Sequence, residues 1–207
     1  MTYQFKIQLK NIKKPPVWRK VVVPSEITFA MFHYIIQAAM GWYDIHLYSF
    51  SPSGYGSTPW IEGDDNLAAL GIDDEISIPS TDLKLSDIFT TKGQTFTYIY
   101  DFGDDWEHII TLEEIDKTNI SPKPKLIGGK GVCPPEDCGG AWGYENLKEV
   151  LADKNHPDYQ EFKEWLYGPD DFDEEQDDEL FEDEDPIWNP HEYSLEEEKE
   201  MFDEVFK

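Results

Sequence analysis

Carboxylate and imidazole groups are most concentrated in one short stretch, residues 100–108, which reads YDFGDDWEH. Asp101, Asp104 and His108 are the side chains there that could hold a metal ion or transfer a proton. They are candidate catalytic residues of a metal-dependent hydrolase or another enzyme. The alternative is an architectural role, because carboxylates in tight turns commonly hydrogen-bond the backbone of the turn. The sequence favours the architectural role, and therefore a protein that is not an enzyme.

Two strand-like runs flank this stretch and must position its side chains. Residues 95–100 alternate aromatic rings with Thr and Ile, and residues 106–112 place Trp, His, Ile and Leu on one face, which is the period of a β-strand. If residues 102–105 form a four-residue hairpin loop, Asp101 lies diagonally next to His108, within reach of a hydrogen bond. We therefore predict this pair, which a one-residue bulge would separate.

Two cysteines form a second candidate site. Cys133 and Cys138 are separated by four residues, a spacing that zinc ligands can have. A closed zinc site needs two more donors. The candidate donors are His33, His46, His108 and His156. A single Cys pair is a weak signal, so a loop with two partly buried thiols is favoured and a disulfide is a third option. We predict no cofactor, with zinc as the alternative.

Aromatic side chains could form a surface that contacts a partner. The candidates for partner binding are Trp42, Tyr43, Trp106 and Trp142. Exposed apolar patches with polar rims mark interaction sites on soluble proteins. Together with the surrounding carboxylates, these rings favour a non-enzymatic binding or adaptor module.

The chain carries a formal net charge of −27 over 207 residues, and this charge is uneven. Residues 169–207 hold 19 acidic residues against 2 lysines, a net charge of −17, and residues 1–168 carry the remaining −10. Both parts are acidic, which argues against direct DNA binding, because that needs cations that neutralise phosphates. A basic protein is the partner that the acidic tail would suit.

Several familiar signatures are missing. The chain has one arginine, Arg19, and none of the patterns GxxxxGKS, GxSxG or HExxH, which are local signatures of nucleotide, acyl and peptide hydrolysis. No apolar run approaches the length of a membrane span, and no apolar signal-peptide region follows Met1. With only two cysteines as well, we expect a soluble, cytoplasmic protein without a membrane partner.

Hydrophobic periodicity predicts an α+β fold. Strands at residues 3–12 and 17–23 precede a helix at residues 28–40, and a third strand ends near Phe50. This β-β-α-β start is similar to that of the β-grasp fold, an analogy that implies no function. We expect a mixed, mainly antiparallel sheet that is packed by one central helix and followed by a C-terminal helical segment.

Three segments are expected along the chain. Residues 1–168 form one α+β domain, whose helical part starts at about residue 143. Residues 169–187 are an acidic linker, expected to be disordered because its like charges repel. Residues 188–207 hold an amphipathic helix that begins with a capping box at Ser194. This last helix has to dock on its own core or on a second subunit.

Four groups of residues together resemble one known family. They are the Trp18-Arg19 strand, the run from His33 to Phe50 with Gly41-Trp42 and His46-Leu47, the block from Tyr100 to His108, and Pro134–Gly140 followed by Gly143-Tyr144. The chain resembles the plasmid pRiA4b ORF-3-like proteins, also labelled insertion-sequence passenger "TnpR" proteins, over about residues 3–168 and part of the tail. The resemblance implies an association with mobile elements and no established activity. The label suggests a resolvase, but a serine recombinase needs several arginines and a basic DNA-binding segment, which this sequence lacks.

Overall fold

The computed structural model describes residues 1–63, 77–118, 123–168 and 188–207. Over these residues the chain forms one eight-stranded sheet and five helices. The strands are β1 (Thr2–Leu9), β2 (Trp18–Pro24), β3 (Tyr48–Ser51), β4 (Trp60–Glu62), β5 (Ser77–Pro79), β6 (Thr95–Tyr100), β7 (Trp106–Asp116) and β8 (Lys125–Lys130). The helices are α1 (Phe29–Met40), α2 (Leu85–Ile88), α3 (Gly140–Ala152), α4 (Tyr159–Tyr167) and α5 (Leu195–Val205).

The strand order across the sheet is β5-β4-β3-β6-β7-β1-β2-β8. Neighbouring strands are antiparallel, except β4 and β5, which are parallel. The predicted α+β fold class is confirmed, including the β1–β2 hairpin and the β-β-α-β start through α1. Helices α3, α4 and α5 form the predicted C-terminal helical segment.

Helix α1 begins and ends where its sequence predicts. The Thr28 hydroxyl accepts a hydrogen bond from the Met31 amide at 3.2 Å, which satisfies one of the free N–H groups at the helix start. Gly41 follows the last turn at φ +79°, a left-handed conformation that glycine adopts without a Cβ penalty. The Gly41 amide donates to the Gln37 carbonyl at 2.9 Å, so the helix is capped at both ends.

The core lies between α1 and one face of the sheet. Phe29 and Phe32 on α1 meet Phe50 on β3 with ring centroids 5.1 and 6.0 Å apart, and Phe32 lies 4.9 Å from Phe5 on β1. All four rings are fully buried, and each contributes roughly 1.5–3 kcal/mol by leaving water. Apolar and polar residues alternate along β1 because every second side chain faces this aromatic layer.

The β6–β7 hairpin differs from the prediction by one residue. Tyr100 lies opposite Trp106 and Tyr98 opposite His108, so the loop has five residues, Asp101–Asp105, rather than four. A shift of one residue moves a side chain to the other face of a strand pair. His108 is fully buried, and its Nδ1 donates to the Trp106 carbonyl at 2.8 Å. The predicted hydrogen bond between Asp101 and His108 is wrong.

The C-terminal segment docks on the chain's own core, against β8 and α1. Its Glu198 carboxylate pairs at 2.8 Å with the fully buried guanidinium of Arg19 on β2. The Tyr193 ring lies 4.7 Å from the Arg19 guanidinium carbon, and Phe202 is fully buried. The Trp188 indole N–H donates to the Cys133 carbonyl at 2.8 Å. The segment therefore completes the fold of the body.

The predicted acidic linker, residues 169–187, lies outside the described residues. Among the described ranges, none of the helices has the length and apolar character needed to cross a membrane.

Candidate metal centre

His46, Asp101 and Asp137 come together at one end of the sheet, next to the β6–β7 hairpin loop. One donor atom from each of the three side chains lies within 4.8 Å of the other two. The His46 Nε2 atom is 3.1 Å from Asp137 Oδ1 and 3.7 Å from Asp101 Oδ2. Nε2 is buried and makes no hydrogen bond, because neither carboxylate oxygen has hydrogen-bond geometry towards it. The imidazole nitrogen thus lies next to both carboxylates without a hydrogen bond to either.

The loop between α1 and β3 carries His46. The amide of Trp42 donates to the Gln37 carbonyl at 3.1 Å, and the amide of Asp44 donates to the Gln37 side-chain oxygen at 3.0 Å. The Ile45 amide donates to the Tyr100 hydroxyl at 3.1 Å. These bonds connect the loop to α1 and to β6, so the position of His46 is set by both elements.

Asp101 is the first residue of the β6–β7 loop, and its backbone has the uncommon φ of +54°. Its amide donates to the Leu47 carbonyl at 2.9 Å, which ties it to the residue after His46. One carboxylate oxygen, Oδ1, accepts from the Gly103 amide at 2.9 Å. The other, Oδ2, faces His46. Non-glycine residues in the left-handed region cost roughly 1–3 kcal/mol and are concentrated at functional sites.

Asp137 lies in the loop that precedes α3, and three contacts hold this loop. The Trp42 indole N–H donates to the Pro134 carbonyl, and the Gly139 amide donates to Asp104 Oδ2, both at 2.9 Å. A Cβ on Gly140 would lie 2.4 Å from the Asp104 carbonyl oxygen, so only glycine allows this approach. The hairpin loop and the Asp137 loop are therefore fixed against each other.

Glu136 is a third acidic group, beside Asp101 and Asp137. Its Oε1 accepts from the Tyr43 amide and from the Tyr100 hydroxyl, each at 3.0 Å. Its Oε2 is buried and has no hydrogen-bond partner. Burial raises the pKa of Glu136 above its ordinary value, against the opposing effect of these hydrogen bonds and the nearby His46.

The spacing of the donor atoms suits a metal ion. Ligands bound to zinc at about 2.1 Å with tetrahedral angles stand about 3.4 Å apart, close to the observed 3.1 and 3.7 Å. One imidazole and two carboxylates form a mixed nitrogen and oxygen set, which suits Zn²⁺, Mn²⁺ or Fe²⁺. Three protein ligands leave at least one coordination position for water or a bound molecule.

The structure places the predicted catalytic residues in different surroundings. Asp101 belongs to the candidate metal centre, whereas the Asp104 carboxylate holds the start of α3 through Gly139. His108 is enclosed by the Trp42 and Tyr98 rings at 5.4 and 5.1 Å. Burial lowers the pKa of His108 to about 4, so this imidazole is neutral and shielded from solvent.

The cysteines and His156 are not part of the candidate metal centre. Cys133 and Cys138 are free thiols, and burial is the main cause that raises the pKa of both. Across the described ranges, neither belongs to a group of three candidate metal ligands. His156 lies between α3 and α4, where its Nδ1 accepts from the Asp158 amide at 3.2 Å. Of the residues predicted as zinc ligands, His46 alone lies in the candidate metal centre.

The four predicted partner-binding aromatics divide into two pairs. Trp42 and Trp106 are only 6% and 1% exposed, so they belong to the core and cannot offer a contact surface. Tyr43 and Trp142 are 80% and 79% exposed.

Sequence reasoning missed Asp137 as a candidate ligand. The available signal was its position beside Glu136, before a glycine pair that allows close backbone approach.

Comparisons with known proteins agree with this architecture. A sequence model of the family described as plasmid pRiA4b ORF-3-like protein matches residues 1–179. The uncharacterized protein y4hQ of Sinorhizobium fredii (strain NBRC 101917 / NGR234) is 38% identical over 172 residues, which cover 82% of each chain. A crystal structure of MM3350, a protein of unknown function from Methanosarcina mazei Go1, is 35% identical with a TM-score of 0.65, over 83% of this chain and 92% of that one. The chain therefore belongs to the plasmid pRiA4b ORF-3-like protein family.

Proposed function

We propose that this protein binds one divalent metal ion at His46, Asp101 and Asp137, and acts as a metal-dependent binding module. One observation carries the proposal. The buried His46 Nε2 lies 3.1 and 3.7 Å from two carboxylates and hydrogen-bonds to neither. A buried polar atom without a partner is costly, and a shared cation would satisfy it together with both carboxylates.

The charges around the centre support the same occupant. Asp137 lies close to Asp101 and interacts with the charge of Glu136, and like charges at short range disfavour the charged forms. Among the described residues, the His46 imidazole lies within 4 Å of two of these carboxylates, Asp101 and Asp137, and hydrogen-bonds to neither. A divalent cation would be the largest local charge and would offset this repulsion.

The surface around the centre supports a role in binding. Tyr43 and Ile45 are 80% and 59% exposed on the loop that carries His46. Trp142 is 79% exposed in the first turn of α3, which follows the Asp137 loop. Exposed apolar side chains beside a polar site are typical of binding surfaces. A basic protein that binds the acidic tail remains a further prediction, as do cytoplasmic location and the association with mobile elements.

Metal binding can be tested with Co²⁺, whose visible absorption reports the coordination geometry. Purified protein treated with EDTA and dialysed should bind one Co²⁺ per chain with a new visible band. Asp137→Asn should weaken this binding by at least about 10-fold, the lower limit seen even for residues that only orient ligands. Asp137 is 62% exposed at its side chain, so this variant should fold normally.

Weak binding of cations to the acidic tail needs its own control. Glu149→Gln removes one exposed carboxylate from α3 outside the centre and should bind Co²⁺ as the unchanged protein does. Titrations in 0.2 M KCl screen diffuse binding, since the Debye length is then below about 8 Å. Equal Co²⁺ affinity of the unchanged protein and Asp137→Asn would refute the metal centre.

A hydrolase is the second candidate, and Glu136 favours it. Its buried, unpartnered Oε2 and raised pKa are properties of a group that accepts a proton from metal-bound water. Glu136→Gln should then keep Co²⁺ binding but abolish metal-dependent cleavage in a panel of chromogenic ester and phosphoester substrates. Cleavage that persists unchanged in Glu136→Gln would reject Glu136 as the base. No metal-dependent cleavage of any substrate by the unchanged protein would reject the hydrolase and leave the binding module.

A further inference from the structure

A cavity of about 300 Å³ lies beside the Asp137 loop, between α3 and α4. Its volume is at the lower end of the range for small-molecule sites, roughly 300–1,000 Å³. Leu147, Phe162 and Trp165 give it an apolar wall. Trp165 is still 48% exposed, so the aromatic wall can be reached from solvent.

Carboxylates are the charged groups of this cavity. Asp137 and Glu161 both line it, and its described lining includes no lysine, arginine or histidine. A cation near the face of an aromatic ring is attracted by the ring's quadrupole. Two carboxylates and two aromatic rings around one small space therefore complement a positive charge that is attached to an apolar body.

We propose that this cavity binds a small organic cation, an ammonium group carried by an aromatic or aliphatic body. The apolar body packs against Leu147, Phe162 and Trp165, and the ammonium group pairs with Glu161 and Asp137. The formal net charge of −27 raises the local concentration of cations and disfavours anions of the same shape. A free amine and the lysine side chain of a peptide share this chemistry.

The inference stands beside the proposed metal centre and does not need it. Asp137 contributes to both sites, but Glu161 and the aromatic wall belong to the cavity alone. Amine binding should therefore persist in EDTA and in His46→Ala, a substitution that should abolish metal binding. Failure of the metal centre would leave this result unchanged, and failure of amine binding would leave Co²⁺ binding unchanged.

The test is an NMR titration of the full chain in EDTA, followed through the tryptophan indole N–H signals. Trp165→Phe identifies the Trp165 signal by its loss, and the Trp142 signal serves as a control because Trp142 does not line the cavity. The probes share one ring and differ in charge: 2-phenylethylammonium, neutral 2-phenylethanol and anionic 3-phenylpropanoate. A blocked Gly-Lys-Gly peptide tests whether a lysine side chain binds in place of a free amine.

We expect 2-phenylethylammonium to shift the Trp165 signal in a saturable manner and the anion to leave it unmoved. Glu161→Gln should weaken the amine about 5-fold, the factor that corresponds to the upper value of about 1 kcal/mol for an exposed ion pair. Tighter binding of the peptide than of the amine would identify a protein as the source of the cation. Equal binding of the amine and the neutral alcohol, or no saturable shift with either cation, would overturn the proposal.

Discussion

His108 is expected to make the stability of this protein depend on pH, in a direction that the structure fixes. The imidazole is fully buried, and its Nδ1 donates to the Trp106 carbonyl. Its Nε2 is buried without a hydrogen-bond partner. A second proton would therefore place a positive charge in the core. Burial lowers the pKa of His108 to about 4, and interactions with the backbone of Trp106 and Tyr98 offset this only in part.

The sign and size of this pH dependence follow from the linkage between proton binding and folding. The unfolded chain binds a proton at a pKa of about 6.5, and the folded chain binds it only near 4. The stabilisation from His108 is thus fully present above pH 6.5 and is lost progressively as the pH falls towards 4. Between pH 7 and pH 5 the loss is about 2 kcal/mol, and it approaches about 3 kcal/mol near pH 4.

The assay compares urea unfolding of the unchanged protein with that of His108→Gln at pH 7, 6 and 5. Glutamine does not titrate and can still donate to the Trp106 carbonyl. The difference between the two proteins cancels the titration of other groups, including Glu136 and Glu198, whose raised pKa values act in the opposite direction. Stopping at pH 5 keeps the protein above its sequence pI of about 4.3, where its low net charge favours precipitation.

We expect the stability advantage of the unchanged protein over His108→Gln to shrink by about 2 kcal/mol between pH 7 and pH 5. A constant offset at all three pH values is allowed, because glutamine packs less well than a ring. A difference that does not change with pH would refute the reasoning, since it would mean that folded His108 titrates at its ordinary pKa.

Two further predictions concern the contacts that join distant parts of the chain. Glu198→Ala should lower the free energy of unfolding by about 3 kcal/mol, because the fully buried Arg19 loses the carboxylate that pairs with it. The control Glu196→Ala, at an exposed position, should change the free energy of unfolding by less than about 0.5 kcal/mol. Equal urea midpoints would contradict this contact. Gly140→Ala should lower the free energy of unfolding by about 2 kcal/mol more than Gly56→Ala does. Both glycines have a positive φ, but of the two only Gly140 would bring its new Cβ against a backbone oxygen, at 2.4 Å. Similar thermal midpoints for these two variants would contradict the close approach.

Much of the fold could be predicted because its elements are locally consistent. The alternation of β1 reports a sheet with one buried face, and Thr28 and Gly41 mark the two ends of α1 by their capping chemistry. The sequence did not determine where α5 docks. That depends on the buried Arg19, which reads in the sequence as an ordinary strand cation.

The candidate site was harder to predict, because it depends on the length of one loop. A five-residue loop instead of four separates Asp101 from His108 and brings Asp101 next to His46. Where the same residues are compatible with several loop lengths, the rest of the fold decides the register of the hairpin. Asp137 comes from a loop 36 residues further along the chain, which no local pattern connects to the hairpin.

The last twenty residues reach the body through residues 169–187, and every described contact that fixes them is non-covalent. In energetic terms the segment is a peptide ligand held at high local concentration by its own chain. A single proteolytic cut in that connection is therefore expected to leave both pieces together on a native gel and to separate them on a denaturing one. The protein would behave as a natural two-piece assembly, in which the smaller piece supplies the counter-charge for the one arginine.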